Sequence, residues 1–176
     1  MNKFSEIAIK IVLVGDEEVG KTSIIIKYVK NRFTEDYKPT LGADFAVKKL
    51  KFNEKKVKLY LWDIGGQKQF KNLHKYYYEG ANLFLLVFDL TSYKTFENAI
   101  NIWTEDIKNN YDTIPIILVG NKFDLENERQ VLFEEIEKKS LNFINFSIET
   151  SAKTGHNIEN LFLRILELLE TIEIGP

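Results

Sequence analysis

The segment 15–22 reads GDEEVGKT and fits the phosphate-binding pattern G-x-x-x-x-G-K-[ST]. It lies between two apolar runs, residues 10–14 and residues 24–29, as a loop joining a strand to a helix would. Glycines let backbone N–H groups converge on phosphate, and the helix start adds the positive end of its dipole. Lys21 is then expected to neutralise the β- and γ-phosphates of a nucleotide, with the Thr22 hydroxyl on the Mg²⁺ that bridges them.

This loop predicts a nucleotide-binding protein but leaves the base open, because GTPases, ATPases and kinases use similar phosphate cradles. The residues assigned to it are Gly15, Glu18, Val19, Gly20, Lys21, Thr22 and Ser23. The alternative is a glycine turn that happens to precede a helix, with Lys21 on the surface. The position of the motif between two apolar runs argues against that alternative.

Two further motifs indicate the base. Residues 120–124 read GNKFD and residues 149–153 read ETSAK, and each follows an apolar run that we interpret as a strand. Doubly wound sheets bind ligands at the carboxyl ends of their strands, so both motifs should face one crevice. The Asp124 carboxylate can accept hydrogen bonds from guanine N1–H and the 2-amino group together, and adenine offers neither donor. The motifs therefore favour guanine.

These motifs resemble the N-K-x-D and S-A-K base-recognition motifs of Ras-like GTPases, and the resemblance extends over residues 8–169. It implies that the Ala152 N–H binds the guanine carbonyl. It also implies that Lys122 and Lys153 cover the two faces of the ring, and that Asn121 ties the base loop to the phosphate loop. The implied base site consists of Asn121, Lys122, Asp124, Ser151, Ala152 and Lys153.

Residues 31–40 resemble the first switch segment of Ras and Rab proteins. The resemblance implies that Thr40 binds Mg²⁺ only while γ-phosphate is present. It implies that Phe33 packs edge-on against guanine, and it adds Tyr37 to the nucleotide-binding set. An ordinary surface loop, with Thr40 as a cap, is the alternative.

Residues 62–67, WDIGGQ, resemble the second switch segment. The resemblance implies that Asp63 holds the magnesium shell through water, that the Gly66 N–H meets γ-phosphate, and that Gln67 orients the attacking water. The implied catalytic residues are Gln67, Lys21, Thr40 and Gly66, and the implied Mg²⁺ residues are Thr22, Thr40 and Asp63. Hydrolysis of GTP to GDP would free both segments, so the expected function is a molecular switch.

The details lean towards the Rab branch, with GADF at residues 42–45 and YYYEGA at residues 76–81. Phe45, Trp62 and Tyr77 match an aromatic triad that many Rab proteins present to effectors, although ordinary packing beneath the switches explains them equally well. The resemblance also implies an exchange factor, a GTPase-activating protein and a monomeric state.

Glu17 and Glu18 depart from the family pattern, which has glycine or a small residue at these positions. Carboxylates near phosphate should weaken nucleotide binding, so we hypothesise faster nucleotide exchange than in typical relatives. Glu17 also stands where bulk can obstruct Gln67 or an arginine finger. A GTP-binding module with little turnover is therefore the alternative to a hydrolysing enzyme, whereas an ATP-using enzyme is disfavoured by Asp124.

Length and composition fit one domain, residues 1–176. The 24 basic and 26 acidic side chains leave a net charge of -2, which offers no field to hold nucleic acid. The chain has no cysteine to carry a disulfide or a prenyl anchor, and no apolar run reaches the roughly 18 residues of a membrane span. We therefore expect a cytoplasmic protein, with no nucleic-acid partner and no lipid anchor in the chain as given.

The positioning elements are predicted from apolar patterning. Nearly continuous apolar runs at residues 10–14, 83–88, 114–119 and 143–148 indicate parallel strands covered on both faces, with amphipathic helices between them. Segments 43–51 and 57–62 are too close for a crossover helix and predict an antiparallel hairpin. The predicted fold is an α/β P-loop NTPase domain of the small G protein type. Its six-stranded, mostly parallel sheet has one antiparallel edge strand and helices on both faces.

Overall fold

The computed structural model describes residues 6–34, 40–67, 73–140 and 143–172. Tyr37, which the sequence assigns to the nucleotide, lies outside the described residues. Parts of both switch-like segments lie outside them as well.

The strands within the described residues are β1 (Glu6–Val14), β2 (Ala43–Phe52), β3 (Lys55–Ile64), β4 (Leu83–Asp89), β5 (Ile116–Asn121) and β6 (Phe146–Glu149). They form one sheet in the order β2-β3-β1-β4-β5-β6. β2 pairs antiparallel with β3, and the pairs β3-β1, β1-β4, β4-β5 and β5-β6 are parallel. The predicted six-stranded sheet with one antiparallel edge strand is confirmed.

The helices are α1 (Lys21–Lys30), α2 (His74–Tyr78), α3 (Tyr93–Asn98), α4 (Thr104–Tyr111), α5 (Phe133–Ser140) and α6 (Ile158–Thr171). Apolar side chains of β1 alternate between the two faces of the sheet. Ile11 and Leu13 join a core with α1 and α6, while Val12 and Val14 join a second core with α2, α3 and α5. Helices therefore cover both faces, as predicted.

Strand ends differ from the predicted ones where pairing, rather than hydrophobicity, sets the limit. β1 begins at Glu6 because its ladder with β3 extends to the pair Glu6 and Lys56. The hairpin strands run on to a tight turn at Asn53 and Glu54, which have φ angles of 45° and 64°. Backbones with two successive positive φ angles form the short turns that suit hairpins, so the predicted loop at 52–56 is shorter in the structure.

α3 and α4 are joined by a π-helical turn at Ala99–Trp103 that the sequence pattern did not reveal. The Thr104 backbone N–H donates to the carbonyl oxygen of Ala99, five residues earlier, and the Thr104 hydroxyl donates to the same oxygen at 2.9 Å. Such turns widen a helix by one residue and are common near functional sites. Phe96 and Ile107, on either side of the turn, are still buried in the same core.

Candidate functional site

The loop at residues 15–20 follows β1 directly and leads into α1 at the carboxyl edge of the sheet. Gly20 has a φ of 98°, and a Cβ atom there would lie 2.2 Å from Asn121 Nδ2. Only glycine satisfies both the backbone conformation and the close approach. Val19, beside it, is fully buried and anchors the loop to the core.

Lys21 is 6% exposed, and its amino group is held inside the loop rather than on the surface. Its Nζ donates to the carbonyl oxygens of Gly15 at 2.8 Å and Asp16 at 2.6 Å. Burial lowers the pKa of Lys21 to about 8, against the opposing effect of nearby carboxylates, of which Asp63 is the largest. A bound phosphate would add negative charge beside this amine and favour its protonated form.

Three oxygen-bearing side chains converge beside Lys21. The Thr22 hydroxyl donates to Asp63 Oδ2 at 2.5 Å, the Thr40 hydroxyl donates to the same oxygen at 2.9 Å, and the two hydroxyl oxygens are 3.1 Å apart. Asp63 is 3% exposed, and its other carboxylate oxygen is buried without a hydrogen-bond partner. Hydroxyl and carboxylate oxygens are hard ligands that suit Mg²⁺, so this donor set fits that ion.

Gly66 brings the segment after β3 against the phosphate loop. A Cβ atom at Gly66 would lie 2.5 Å from both the carbonyl carbon of Asp16 and the backbone nitrogen of Glu17. A side chain is therefore excluded, and the two backbones touch. Gln67 follows immediately and lines the same small pocket as Lys21. The residues that line this pocket are Glu17, Glu18, Gly20, Lys21, Thr22, Ser23, Thr40, Gly65, Gly66 and Gln67.

Asn121 connects the phosphate loop to the candidate base site. It is 2% exposed, and its Nδ2 donates to the Val19 carbonyl oxygen at 2.9 Å. Its Oδ1 accepts hydrogen bonds from the Ala152 N–H at 3.2 Å and the Thr150 hydroxyl at 3.3 Å. The Ala152 N–H, which the family resemblance assigns to the guanine carbonyl, is thus also engaged by Asn121.

The Asp124 carboxylate lies on the other side of the same pocket. Its Oδ1 accepts a hydrogen bond from the Ser151 hydroxyl at 2.5 Å, which orients it. Lys122 has a φ of 68°, and its Nζ forms an ion pair with Asp89 Oδ2 at 2.7 Å. The base motifs at 120–124 and 149–153 are therefore brought together by side-chain contacts at the ends of β5 and β6.

Between these motifs lies a pocket of about 390 Å³. Its lining residues are Glu18, Gly20, Ser23, Phe33, Thr34, Asn121, Lys122, Asp124, Leu125, Ala152 and Lys153. Phe33 is 38% exposed at the pocket. Small-molecule sites are typically concave, with a few convergent polar groups, and this pocket has that form.

The sequence missed two residues that shape the site. Asp89 binds Lys122 and also accepts hydrogen bonds from the Thr91 N–H and hydroxyl at 2.8 and 2.7 Å. Thr150 is fully buried behind the base site against Asn121. Asp89 ends an apolar run, and Thr150 lies within the ETSAK motif, so placement at a strand end could have identified both.

The aromatic side chains that the sequence singled out form one continuous patch. The rings of Phe45 and Trp62 are stacked at 5.3 Å, and those of Trp62 and Tyr77 lie 6.4 Å apart. Phe45 is 55% exposed, and the Lys10 amino group lies 4.4 Å from the centre of the Trp62 ring. The patch therefore combines packing with an exposed apolar edge.

Comparison with known proteins gives a consistent result. The family model described as "Ras family" matches residues 10–171. The Ras-related protein RABC1 of Arabidopsis thaliana is 42% identical over 166 residues, 92% of this chain and 77% of the relative. The Ras-related protein RabC of Dictyostelium discoideum is 40% identical over 94% of this chain and 85% of the relative. The Ras-related protein Rab-3C of Bos taurus is 37% identical over 95% and 76%.

Across the described segments, none of the helices combines the length and the apolar character needed to cross a membrane. In the same segments, no three His, Cys, Asp or Glu side chains are grouped as a metal site. A cation at Asp63 would therefore depend on hydroxyl, phosphate and water oxygens as well as on one carboxylate.

Proposed function

The chain belongs to the Ras family, and from that premise we propose how its own residues bind nucleotide, hold Mg²⁺ and hydrolyse GTP. The protein is a small GTP-binding switch of the Rab-like kind and a GTPase. The observation that carries the proposal is the convergence of Thr22, Thr40 and Asp63 within hydrogen-bond distance, next to buried Lys21. We further propose a role in membrane traffic, exerted from the cytoplasm.

The phosphate end of the nucleotide binds over the loop at 15–20, with its chain of backbone N–H groups and the start of α1. The amino group of Lys21 turns from the carbonyl oxygens of Gly15 and Asp16 towards the β- and γ-phosphates. Those carbonyl contacts, at 2.8 and 2.6 Å, hold the charge in place before the ligand arrives. The lysine is thus pre-positioned, and its reorganisation on binding is small.

Thr22, Thr40 and Asp63 would hold Mg²⁺, the two hydroxyls directly and the carboxylate through water. When bound, the ion bridges the β- and γ-phosphates and neutralises charge that develops during transfer. The unpartnered Oδ1 of Asp63 supports this assignment, because a buried carboxylate oxygen without a donor is costly unless a cation or water meets it. The hydroxyl protons of both threonines must turn away from Asp63 when their oxygens become ligands.

Hydrolysis requires a water molecule aligned with the bond that breaks. Gln67 orients that water, and the Gly66 N–H donates to an oxygen of γ-phosphate. The tight contact of Gly66 with the backbone at Asp16 and Glu17 supports these roles, since it fixes Gln67 next to the phosphate loop. Loss of γ-phosphate then removes the partner of both Gly66 and Thr40, which is the switching event.

Guanine is selected in the pocket of about 390 Å³. Asp124, oriented by Ser151, accepts hydrogen bonds from N1–H and the 2-amino group, and the stem of Lys122 lies against one face of the ring. Lys153 covers the other face, and Phe33 meets the edge. Ala152 donates to the guanine carbonyl by sharing the N–H that now reaches Asn121.

Partner proteins read the state of the switch at the patch formed by Phe45, Trp62 and Tyr77. An exposed aromatic cluster next to segments that respond to γ-phosphate is suited to binding an effector, because aromatic residues dominate protein interfaces. An exchange factor and a GTPase-activating protein would act at the same side of the domain. The domain itself is proposed to work as a monomer.

The deciding experiment is single-turnover conversion of bound GTP to GDP with Mg²⁺. Gln67→Leu should slow turnover by about tenfold or more, because the water loses its orienting group while the nucleotide stays bound. Gln130→Leu is the matched control, since Gln130 is exposed and binds the Tyr93 N–H at 3.1 Å. It should hydrolyse GTP at the rate of the unmodified chain.

Turnover that Gln67→Leu leaves intact would contradict the role of Gln67 in positioning water. Turnover near zero in all three proteins, with tight GTP binding, would mean that the isolated chain is a GTP-binding module and needs an activating protein. Glu17, exposed beside Gln67 in the same pocket, gives a physical reason for the second outcome.

A further inference from the structure

Asp16 stands inside the phosphate loop, yet its side chain points away from the nucleotide site and binds the helical segment that follows β4. Its Oδ2 accepts a hydrogen bond from Asn98 Nδ2 at 2.6 Å, and its Oδ1 accepts one from Trp103 Nε1 at 2.8 Å. Both donors lie more than eighty residues away in sequence. We propose that Asp16 is a positioning residue that fixes the phosphate loop through these two bonds, and we call the three residues the Asp16 clasp.

The π-helical turn explains how two residues of one helix reach the same carboxylate. Asn98 and Trp103 are five positions apart, and in a regular α-helix of 3.6 residues per turn they would point about 140° away from each other. In a π-helical turn, residues five apart lie close to one another along the axis. The turn at Ala99–Trp103 therefore aligns both donors on the side that faces Asp16.

The clasp acts on a residue that binds phosphate. The carbonyl oxygen of Asp16 accepts a hydrogen bond from Lys21 Nζ at 2.6 Å, so the side chain and the main chain of one residue connect the helix to the lysine. The Asp16 carbonyl carbon also lies where a side chain at Gly66 would collide, which places the clasp directly behind the contact between the loop and Gly66. Movement of Asp16 would displace both groups.

Trp103 extends the clasp to α2. Its ring is stacked on the His74 ring at 5.3 Å, and His74 Nδ1 lies 3.1 Å from Asp106 Oδ2. Trp103 is 7% exposed and His74 is 4% exposed, so these contacts are shielded from water. The phosphate loop, the π turn and α2 are thus joined by one indole ring.

The two bonds are strong enough to matter for nucleotide release. Hydrogen bonds to a charged, partly buried group are among the stronger ones in proteins, and their loss permits the loop to sample open conformations. The inference rests on the proposed nucleotide site, because its effect is expressed as the retention of GDP. Loss of both bonds should speed GDP release by about tenfold.

The test compares GDP release, followed with a fluorescent GDP analogue in Mg²⁺, across four variants and the unmodified chain. Asp16→Leu keeps the size of the side chain and removes both acceptors, so release should rise about tenfold. Asp16→Asn should stay within about threefold, because its amide oxygen accepts from Trp103 and its amide nitrogen can pair with a flipped Asn98. Trp103→Phe keeps the ring and loses only the donor, and it should release GDP about threefold faster.

The double variant Asp16→Leu with Trp103→Phe should release GDP no faster than Asp16→Leu alone, because both changes remove the same bond. Gln130→Ala is the control, since it removes a contact to Tyr93 at the other end of the same helical segment. Equal release from Asp16→Leu and the unmodified chain would overturn the clasp. Asp16→Asn as fast as Asp16→Leu, or fully additive effects in the double variant, would overturn it as well.

A second readout separates failure of the clasp from failure of the nucleotide site. Amide hydrogen exchange of residues 15–21 in nucleotide-free protein reports the order of the loop directly. It should be faster in Asp16→Leu than in Asp16→Asn or the unmodified chain. Lack of GDP binding by the unmodified chain would refute the proposed function, and the exchange rates would still decide on the clasp: equal rates in all three proteins would refute it.

Discussion

Lys21 is the residue whose ionisation should control nucleotide binding. Burial lowers its pKa to about 8 from an ordinary value of 10.5. A lysine with a lowered pKa in the folded protein is destabilising while charged. The unfolded chain therefore binds more protons between about pH 8 and 10.5, and the free energy of unfolding of the empty protein rises with pH in that window. Bound phosphates reverse this penalty, because they favour the charged amine.

We therefore expect GDP binding to take up a proton at Lys21 above pH 8 and to weaken as the pH rises. The dissociation constant should increase about tenfold between pH 7 and 9, measured by fluorescence titration in Mg²⁺. Lys21→Arg is the control, because arginine stays charged throughout this range. Its pH dependence should be much flatter, and an equally steep one would assign the titration to another group, such as guanine itself.

Site residues within local motifs were accessible from the sequence, and their long-range partners were not. The pattern GDEEVGKT located Lys21 and Thr22, because the glycines and the lysine must occur at fixed spacing along one loop. The bonds from Asp16 to Trp103 and from Lys122 to Asp89 depend on how distant segments pack, and no spacing encodes them. Side-chain pairing across the sheet required the structure.

At the scale of elements, the loop between β1 and α1 carries an unusual charge. Glu17 and Glu18 are both exposed at the pocket next to Lys21, and Glu18 has a φ of 61°, a left-handed conformation that favours glycine. Like charge close to phosphate raises the free energy of the bound state, and solvent and salt reduce the effect. The loop is therefore expected to hold nucleotide less tightly than its backbone geometry allows.

Glu17→Gln combined with Glu18→Gln should slow GDP release about tenfold at low ionic strength, because two negative charges are removed without loss of size. The difference from the unmodified chain should shrink at high salt. Glu126→Gln with Glu128→Gln is the matched control, an exposed acidic pair in the short helix after β5. Unchanged release in the loop variant would show that these carboxylates are screened, and the hypothesis of fast exchange would be wrong.

Elements were predicted well wherever one physical cause sets them. Continuous apolar runs indicated the buried strands, and short spacing indicated the hairpin. The π turn escaped because Phe96, Ile100, Trp103 and Ile107 are spaced by four, three and four, as in an ordinary α-helix. The bond from the Thr104 N–H to Ala99 O exists because the turn also satisfies Asp16, a contact outside the helix itself.

At the scale of the whole molecule, the site draws its residues from the carboxyl ends of β1, β3, β5 and β6, which lie across most of the sheet. A ligand held at all four ends opposes the separation of those strands and stabilises the folded state by mass action. At a ligand concentration of about 1,000 times the dissociation constant, the gain is about 4 kcal/mol. For a domain of this size such a gain raises Tm by about 10 °C.

GDP with Mg²⁺ should therefore raise Tm by about 10 °C in differential scanning calorimetry, whereas ADP at the same concentration should leave it unchanged, because adenine offers no donors to Asp124. Asp124→Ala should abolish the shift by GDP without changing the Tm of the empty protein by more than a few degrees, since Asp124 is only partly buried and bonds to Ser151 alone among its contacts described above. Chelation of Mg²⁺ should reduce the shift in the unmodified chain and not in Asp63→Ala. An equal shift with ADP would contradict guanine selection, and a shift insensitive to chelation would remove Mg²⁺ from the site at Thr22, Thr40 and Asp63.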